Sequence, residues 1–375
     1  MKLFFTDSSF VEHGASRPDV PFLCDVNMEL VAAPNDFLRF IATTKGRTRS
    51  RNTWRTYGHH LYEYFSFLEE NELEWTRVRE RQIAAWRDGM LQRGCSPTTV
   101  NQRLRCVGRF YDWIAKRAGE AETRPRELIW APRPKGFFAH LSTAGGKAIA
   151  DELTLRSFKS TPKFLQLDKA ITFIEALTPH SLKLMGYLAL LTGMRREEIT
   201  SLDYRVVPNP AGNDADKAIP MLLSPRLTPT KGAKERTVMV PYDLAVAMWD
   251  YFCRDWPKRY ALHKRNHSFE STRFFLSTGG EELSVRYLNN QFTRASKKTG
   301  ISCHPHMLRH TYGTYELQRM IESVGQTKAL MWVRDRMGHS SISTTEQYVH
   351  AAALIADPAI DGYQADVCEE LRRGH

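Results

Sequence analysis

The sequence carries its most informative pattern in two segments near its C-terminal end, HPHMLRHT at 304–311 and MGHSSISTTEQY at 337–348. In the first segment, His306 and Arg309 stand three residues apart, so a helix would place them on one face, where they could grip a small anion together. In the second, His339 precedes Tyr348 by nine residues across a Ser/Thr-rich turn that is typical of a helix N-cap. Histidines, an arginine and a tyrosine without an acidic cluster beside them predict a site that binds phosphate and attacks it with a phenol.

Length and composition indicate the class of protein in which such a site would work. With 375 residues the chain can form two domains that each have a core. It contains 53 Lys and Arg against 42 Asp and Glu, which gives a net charge of +11. This balance favours a polyanionic partner, nucleic acid above all, although many basic proteins bind no polyanion. No apolar run is long enough for a membrane span, and Asp7 follows the start too closely for a signal peptide.

The cysteine pattern indicates a reducing compartment. The cysteines are scattered without a C-x-x-C pair, which argues against a zinc ribbon and a disulfide framework and is typical of a cytoplasmic protein. A metal cluster could be drawn from Cys303, His304 and His306, but adjacent residues rarely converge on one ion. We therefore expect neither a metal nor a cofactor. The six cysteines are Cys24, Cys95, Cys106, Cys253, Cys303 and Cys368.

The N-terminal third of the chain predicts a helical module. Residues 1–33 carry little pattern, and we expect them to be an irregular lead-in. From 34 to 118, apolar residues recur with helical spacing and predict four helices. These are a short helix over Asp36–Thr43, a long helix with an apolar stripe from Trp54 to Leu68, a third over about Arg79–Gln92, and a fourth that starts at Ser96-Pro97.

Arginines on this module are candidates for DNA contact. A basic face on a small helical bundle can grip the DNA backbone without reading sequence. The alternative is a solvated helix face, which is the common use of such charges. The candidates are Arg47, Arg49, Arg51, Arg103, Arg105 and Arg109.

The remainder of the chain predicts a linker and a second domain. Residues 119–164 combine Pro, Gly and positive charge, which predicts a basic linker that could lie along DNA or simply join two domains. Residues 165–352 predict a domain that is mainly α with a small antiparallel β-sheet, so the fold class expected for the chain is α+β. The tail, 353–375, is a candidate helix that docks on a neighbouring subunit or packs on its own subunit.

Sheet and helices of the second domain can be placed more closely. The sheet is expected within Tyr204–Val240, with its last hairpin over Leu227–Pro241 turning at Gly232 and a polar loop at Asn209–Ala218. Helical patterns follow over Tyr242–Arg254 and Val285–Thr299 and continue through the two C-terminal segments.

The polar motifs of this domain resemble those of a known family. In chain order they are T-G-M-R-x-x-E at 192–198, K-G-x-K-x-R at 231–236, H-x-x-R-H at 306–310, G-H at 338–339, and Tyr348. This order is similar to that of the tyrosine recombinases, the phage-type integrases that include the Xer, Cre and lambda-integrase groups. The similarity covers about residues 165–352, and the module at 34–118 looks like the core-binding domain of the same family.

The resemblance implies a role for the tyrosine and two arginines. Tyr348 would attack a scissile DNA phosphate, leaving a 3′-phosphotyrosine link and a free 5′-hydroxyl, and because the link conserves the bond energy, religation would need no ATP. Arg195 and Arg309 would clamp the non-bridging oxygens, since a guanidinium donates bidentately and stays charged. For Tyr348 the alternative is a packing tyrosine, and for the arginines it is surface ion pairing.

The resemblance also implies roles for the other polar residues. Lys231 would protonate the departing 5′-oxygen from a mobile turn, with Lys234 as the alternative proton donor. Lys234 and Arg236 would otherwise contact neighbouring phosphates. His306 would share in proton handling at the tyrosine or support the phosphate, and His339 would hydrogen-bond a non-bridging oxygen. An orienting or structural position is expected for Glu198 and surface ion pairing for Arg196. Structural positions are expected for His59, His60, His304, His310 and His350.

As a whole, the resemblance implies a metal-independent, site-specific DNA recombinase or integrase of a mobile element. A homotetramer would bind two recombination sites on double-stranded DNA and exchange strands through a Holliday junction, with an accessory DNA-bending protein as a further candidate partner. Two alternatives stay open: a type IB topoisomerase, and a DNA-binding regulator with a decayed catalytic domain. A metal-dependent nuclease lacks the ligands.

Overall fold

A computed structural model describes residues 1–45, 50–118, 130–132, 147–149, 153–156, 162–230, 234–339 and 341–356. The chain forms two compact units. The first unit comprises Met1–Pro134 with Gly146–Phe158, and the second comprises Lys135–Gly145 with Lys159–His375. The described chain is mainly α-helical with small antiparallel sheets, which confirms the predicted fold class.

The first unit begins with strands, so the prediction of an irregular lead-in over 1–33 is wrong. Strand β1 (Lys2–Phe5) pairs antiparallel with β4 (Pro21–Cys24), and β2 (Val11–Glu12) forms a small hairpin with β3 (Ala15–Ser16). The strands cover the helices because Gly58 leaves room for them: a Cβ there would stand 2.6 Å from the Pro21 Cβ. These short strands escaped prediction because their apolar face is made only where they meet the helices.

Four helices build the rest of the first unit, close to the predicted ranges. They are α1 (Ala32–Arg39), which continues as a π-helical turn at Phe40–Thr44, α2 (Arg51–Glu70), α3 (Glu80–Gln92) and α4 (Pro97–Ala118). The Ser96 Oγ accepts a hydrogen bond from the Thr99 N–H at 3.2 Å and so caps α4. Aromatic rings fill the core, where the hydroxyls of Tyr64 and Tyr111 are 2.8 Å apart.

The predicted linker over 119–164 lies largely outside the described residues. Within it, β5 (Trp130–Pro132) pairs antiparallel with β6 (Lys147–Ile149). Residues 153–156 belong to the first unit, where Leu153 is buried. The Asn101 side chain on α4 holds this piece by exchanging two hydrogen bonds with the Leu155 backbone, at 2.8 and 2.9 Å.

The second unit packs helices around a two-stranded sheet. Its first elements are α5 (Leu167–Glu175), α6 (His180–Thr192), α7 (Arg196–Thr200) and a 3₁₀ turn at Tyr204–Val206. After the sheet come α8 (Tyr242–Arg254), α9 (Trp256–Asn266) and α10 (Val285–Thr299). Helices α8 and α10 have the predicted bounds, whereas α9 was not predicted. Helix α6 is buried on most sides and forms the centre of this core.

The sheet lies within the predicted range, Tyr204–Val240, but its first strand lies earlier in the chain than the predicted hairpin. Strand β7 (Ile219–Leu223) pairs antiparallel with β8 (Arg236–Val240), so that Leu223 faces Arg236. The predicted hairpin over Leu227–Pro241 is therefore wrong, and the chain between the strands is longer. The reason is that Thr228 is fully buried and accepts a hydrogen bond from the Asp203 N–H at 3.2 Å, which commits this stretch to the connection rather than to a strand.

The C-terminal helices form a small core of their own. These are α11 (Pro305–Val324), α12 (Gln326–Met337), a 3₁₀ turn at Ile342–Thr344 and α13 (Gln347–Ala356). Helices α11 and α13 approach closely at Gly313, where a Cβ would stand 3.1 Å from the Tyr348 Cζ. This approach brings Tyr348 against the helix that carries His306, Arg309 and His310.

Candidate active site

The C-terminal end of α12 gathers three arginines. The last carbonyl groups of a helix have no partner within the helix, and they lie at the negative end of its dipole. Here three consecutive carbonyls each accept a hydrogen bond from a different guanidinium group. The contacts are Arg236 Nε to Arg336 O at 3.2 Å, Arg309 Nη2 to Met337 O at 2.6 Å, and Arg195 Nη2 to Gly338 O at 2.8 Å.

Arg195 and Arg309, the predicted phosphate clamp, are held from two sides. Arg195 precedes α7, and its backbone N–H donates to Glu198 Oε2 at 2.8 Å while its Nη1 donates to Oε1 at 3.1 Å. Arg309 is almost fully buried and also donates to the carbonyl of Gly193. Burial, followed by the nearby positive charge of Arg195, lowers the pKa of Arg309 to about 9, so this guanidinium remains charged at neutral pH.

Glu198 lies between two guanidinium groups. Its side chain is 1% exposed, and Arg236 donates to Oε1 at 2.7 Å and to Oε2 at 2.6 Å. Burial by itself would raise the pKa of Glu198, but the hydrogen bonds and the charge of Arg236 outweigh it, and the pKa lies below its usual value. Glu198, which was predicted to have an orienting or structural role, thus contacts both Arg195 and Arg236.

Arg236 differs from its prediction as a phosphate contact. Its side chain is only 8% exposed. The guanidinium donates through Nε to Arg336 O and through both terminal nitrogens to Glu198. These acceptors belong to the protein, so in this structure Arg236 is committed to an internal contact.

Tyr348 stands at the start of α13 with its ring buried. Its hydroxyl is 2.8 Å from His310 Nδ1, and the ring of His339 lies nearly parallel to the phenol, with the ring centres 6.1 Å apart. Burial raises the pKa of Tyr348 to about 12, although the charge of Arg309 opposes the shift. The phenol is therefore protonated at neutral pH, and its attack on a phosphate requires a proton acceptor.

His310, which contacts this hydroxyl, and two histidines near it, His306 and His339, are all neutral at pH 7. Burial, with Arg309 among the next contributors, lowers the pKa of His306 to about 4 and that of His339 to about 2. Burial and the neighbouring His306 lower the pKa of His310 to about 3. A neutral imidazole offers one nitrogen as an acceptor, which suits it to hydrogen-bond a phenol.

His310 was placed among the structural histidines from sequence, yet it is the one that contacts Tyr348. His306, which was expected to handle the proton, packs edge-on against His310 with ring centres 4.4 Å apart. The signal was present in the sequence, because His310 follows His306 by four residues and so lies on the same helix face. His304 caps α11, where its Nδ1 accepts a hydrogen bond from the Met307 N–H at 3.1 Å.

A cavity of about 440 Å³ opens beside the arginines. Arg195, Arg236 and His339 line it together with Lys234 and the Trp332 side chain, over which the Arg336 guanidinium stacks at 4.6 Å. Lys234 thus lies next to the site, and its contact with a phosphate stays a prediction. Lys231 falls within 231–233, outside the described residues.

In the first unit, the predicted DNA-contact arginines have different surroundings. Arg51 lies 3.1 Å from Asp19, and Arg103 is largely buried with a guanidinium nitrogen 3.3 Å from Glu63. Arg109 donates to the Tyr57 hydroxyl, and Arg105 lies exposed on α4. Arg47 and Arg49 lie outside the described residues, as does His350 as far as its side chain is concerned.

The described residues also bear on metal sites, membrane spans and disulfides. Over the described part of the chain, no group of three or more His, Cys, Asp and Glu side chains is arranged to hold a metal ion. None of the helices described combines the length and apolarity needed to cross a membrane. The five described cysteines, Cys24, Cys95, Cys106, Cys253 and Cys303, are free thiols.

Family matches cover parts of both units. Residues 163–354, more than half of the chain, match the phage integrase family. Residues 35–118 match the N-terminal SAM-like domain of phage integrases. The tyrosine recombinase XerC of Thermodesulfovibrio yellowstonii is 24% identical over 322 residues, which cover 84% of this chain and 90% of that protein. XerC of Escherichia coli O127:H6 has the same identity and coverage.

Solved structures share the fold. XerH recombinase in a post-cleavage complex with a palindromic difH substrate matches with a TM-score of 0.59 at 16% identity, over 90% of this chain and 86% of that one. Lambda integrase bound as a dimer to a COC′ core site matches with a TM-score of 0.55 at 14% identity, over 85% and 94% of the two chains. With the family match over more than half of its length, this chain belongs to the phage integrase family and is a tyrosine recombinase, an enzyme that breaks and rejoins DNA.

Proposed function

We propose that this recombinase cleaves each DNA strand by attack of the Tyr348 hydroxyl on a scissile phosphate at a specific site. The phosphorus–5′-oxygen bond breaks, a 3′-phosphotyrosine link forms, and the 5′-hydroxyl of a strand reverses the step. The observation that carries the proposal is the meeting of Tyr348 with neutral His310, close to the arginines and His339 at the end of α12. A phenol, a proton acceptor and fixed cations are the components such a step requires.

Arg195 and Arg309 would stabilise the charge that develops on the pentacoordinate phosphorus. Each guanidinium carries five N–H donors, and the named protein acceptors use only two on each. The protein contacts fix the planes of both groups, and the remaining N–H groups of Arg195, whose side chain is 15% exposed, are available to non-bridging oxygens. Arg309 is 1% exposed, so its remaining N–H groups would reach the phosphate once the site opens. His339 would add a hydrogen bond to the same phosphate.

Protons move at the two ends of the reaction. The geometry favours His310 as the acceptor for the Tyr348 proton, with His306 beside it, since only His310 stands within hydrogen-bond distance of the hydroxyl among the described histidines. Lys231, from the connection between β7 and β8, would donate a proton to the departing 5′-oxygen. Charge that two-metal nucleases obtain from ions would come here from arginines and a lysine.

The assembly is part of the proposal. We infer a homotetramer that holds two recombination sites, exchanges strands in pairs through a Holliday junction, and acts in the cytoplasm on a mobile element, with or without a DNA-bending protein. The helical module would hold the DNA through its basic face, Arg105 included, and Lys234 would contact a phosphate near the cleavage point. Residues 353–375 would dock on a neighbouring subunit.

A suicide substrate tests the chemistry directly. Purified protein is incubated in EDTA with nicked duplex DNA from the flanks of its own gene, and covalent protein–DNA product is resolved on a denaturing gel. We expect a band that Tyr348→Phe abolishes. Binding without any band in the wild type would favour a DNA-binding regulator, and a band that survives the substitution would assign the nucleophile to another residue.

A further inference from the structure

Arg236 is the third arginine that donates a hydrogen bond to the C-terminal end of α12, and the proposed chemistry assigns it no role. Its position is fixed on every side. It begins β8, where it faces Leu223 across the sheet. Its aliphatic part packs against the backbone of Gly338, since a Cβ built on that glycine would stand 3.0 Å from the Arg236 Cδ. Gly338 has φ of +62°, a conformation in which glycine avoids strain.

The carboxylate of Glu198 is saturated only when Arg236 is present. Its two oxygens offer about four lone-pair sites. Four donors reach them: the backbone N–H and Nη1 of Arg195, and both terminal nitrogens of Arg236. Arg195 therefore donates from only one terminal nitrogen to the carboxylate, and its other terminal nitrogen donates to the Gly338 carbonyl at 2.8 Å.

Loss of Arg236 would change the contacts of Arg195. One acceptor site on each oxygen of Glu198 would open, and an arginine beside an unsaturated carboxylate pairs with it through two parallel hydrogen bonds. Arg195 would rotate toward that arrangement and leave the Gly338 carbonyl. Its donors would then face Glu198 instead of the place where a phosphate binds.

We propose that Arg236 is a positioning residue. It fills the remaining hydrogen-bond acceptor sites of the Glu198 carboxylate and fixes the end of α12, so that Arg195, and His339 just after α12, keep their positions for the scissile phosphate. The inference rests on the proposed function. It replaces the sequence-based assignment of Arg236 as a direct phosphate contact, and the two assignments predict different measurements.

DNA binding separates the two assignments. A lysine or arginine that contacts a phosphate adds about one unit to the slope of log affinity against log salt, because its contact releases a counterion. A positioning residue leaves that slope unchanged. For Arg236→Met we expect the affinity for an uncleavable duplex and its salt slope to equal those of the wild type.

Single-turnover cleavage of the suicide substrate supplies the second measurement. We expect Arg236→Met to cleave about a hundredfold more slowly, which is the cost of a misplaced catalytic group. Adding Glu198→Gln should recover about tenfold of that loss, because an amide cannot accept two parallel hydrogen bonds from Arg195. The cleavage rate of Arg236→Lys should lie between those of the wild type and Arg236→Met, because lysine keeps the positive charge but lacks the two parallel N–H donors of the guanidinium.

A neutral scissile linkage reports on the arginine clamp, to which Arg195 belongs. In a methylphosphonate one non-bridging oxygen is replaced by methyl and the negative charge is gone, so the clamp has less to stabilise. The ratio of wild-type to Arg236→Met rates should therefore shrink on this substrate, as it should for Arg195→Ala. Arg254→Met, at an exposed arginine on α8 that pairs with Asp250, is the matched control and should match the wild type throughout.

The outcomes are distinct. A salt slope lowered by about one unit in Arg236→Met would restore the phosphate-contact assignment. Wild-type cleavage by Arg236→Met, or no recovery with Glu198→Gln in a double variant that circular dichroism shows to be folded, would also overturn the inference. Each of these leaves the proposed function intact as long as Tyr348→Phe abolishes the covalent band; failure of that band in the wild type would instead remove the function on which the inference rests.

Discussion

His310 and Tyr348 form the contact that most directly concerns the chemistry. The hydroxyl lies 2.8 Å from His310 Nδ1, and the pKa of Tyr348 is raised to about 12 by burial while that of His310 is lowered to about 3. Neither group ionises near neutral pH in the free protein. A phosphate that binds between the arginines would bring negative charge next to His310 and favour its protonated form, so the proton transfer is expected to accompany DNA binding and attack.

We expect His310→Ala to slow cleavage about a hundredfold, the lower range for loss of a general base. A substrate with sulfur in place of the bridging 5′-oxygen tells which end of the reaction is affected. A thiol has a pKa near 8.5 and departs without a proton donor. The sulfur should therefore rescue Lys231→Ala and leave His310→Ala slow, in single-turnover cleavage of both substrates.

His306→Ala is the matched control for this prediction, because His306 shares the helix face without reaching the hydroxyl. We expect a smaller loss than for His310→Ala. A His310→Ala enzyme that cleaves at the wild-type rate or faster would mean that the contact only holds the tyrosine in an inactive position. Full rescue of His310→Ala by sulfur would mean that His310 acts on the leaving group and not on the nucleophile.

Sequence could identify residues whose roles follow from side-chain chemistry and chain spacing. Arg309 and His306 share a helix face by their spacing, and Tyr348 follows His339 across a turn, so both segments pointed to one site. The use of Arg236 could not be predicted, because it depends on Glu198, which is remote in sequence and adjacent only in the folded chain. The same positive charge serves a phosphate or a carboxylate, and only the fold decides between them.

At the scale of elements, the crossing of α11 and α13 sets the position of the nucleophile. Gly313 lies inside α11, where alanine would favour the helix by about 0.5–1 kcal/mol. Its side chain would, however, stand 2.8 Å from the Met337 Sδ and 3.1 Å from the Tyr348 Cζ. Met337 can yield because it is flexible, whereas the buried tyrosine ring can yield only by moving with its helix.

Gly313→Ala is therefore expected to slow cleavage at least tenfold while DNA affinity stays unchanged, because a displaced nucleophile loses its alignment. Single-turnover cleavage and equilibrium binding measure the two effects. Gly89→Ala is the control, because it also lies within a helix, α3, and a Cβ there meets nothing within 4 Å. That variant should be more stable by about 0.5–1 kcal/mol and fully active. Equal activity of the two variants would show that the crossing tolerates a methyl group.

Element prediction succeeded where periodicity was long and failed where tertiary contacts decide. Helix α2 was found from its apolar stripe and α8 from its helical pattern. Strands β1 and β4 have only four residues each, and they gain an apolar face only by covering α2 at Gly58. The predicted hairpin began too late in the chain, at Leu227, because the sequence pattern could not show that the Thr228 hydroxyl accepts a hydrogen bond from the buried Asp203 N–H.

For the whole molecule, the division into a helical N-terminal module and a second domain with the site was readable from sequence. Charge indicated the partner, and motif order indicated the family. The strand layer over 1–24 widens the first unit beyond the matched SAM-like domain, which begins at residue 35. Its carboxylates meet cationic side chains of that unit, for example Asp19 with Arg51 and Arg55, so part of the predicted basic face is already neutralised.

The position of Tyr348 predicts which subunit of the proposed assembly would supply the nucleophile. Tyr348 is buried against α11 of the same chain, contacts His310 on that helix, and so lies beside the Arg309 of its own subunit. This arrangement predicts cleavage in cis. A mixture of Tyr348→Phe, which keeps the clamp, and Arg309→Met, which keeps the nucleophile, should then form no more covalent product than the two variants do separately.

The mixing experiment uses protomers with tags of different mass, so that the denaturing gel shows which protomer carries the DNA. Wild type mixed with Tyr348→Phe is the control, and it should yield covalent product only at the mass of the wild-type protomer. A new band at the mass of the Arg309→Met protomer, present only in the mixture, would mean that a tyrosine serves the arginines of a neighbouring subunit. In that case α13 would have to leave the position beside Gly313, and the His310 contact would describe the protein before assembly and not during cleavage.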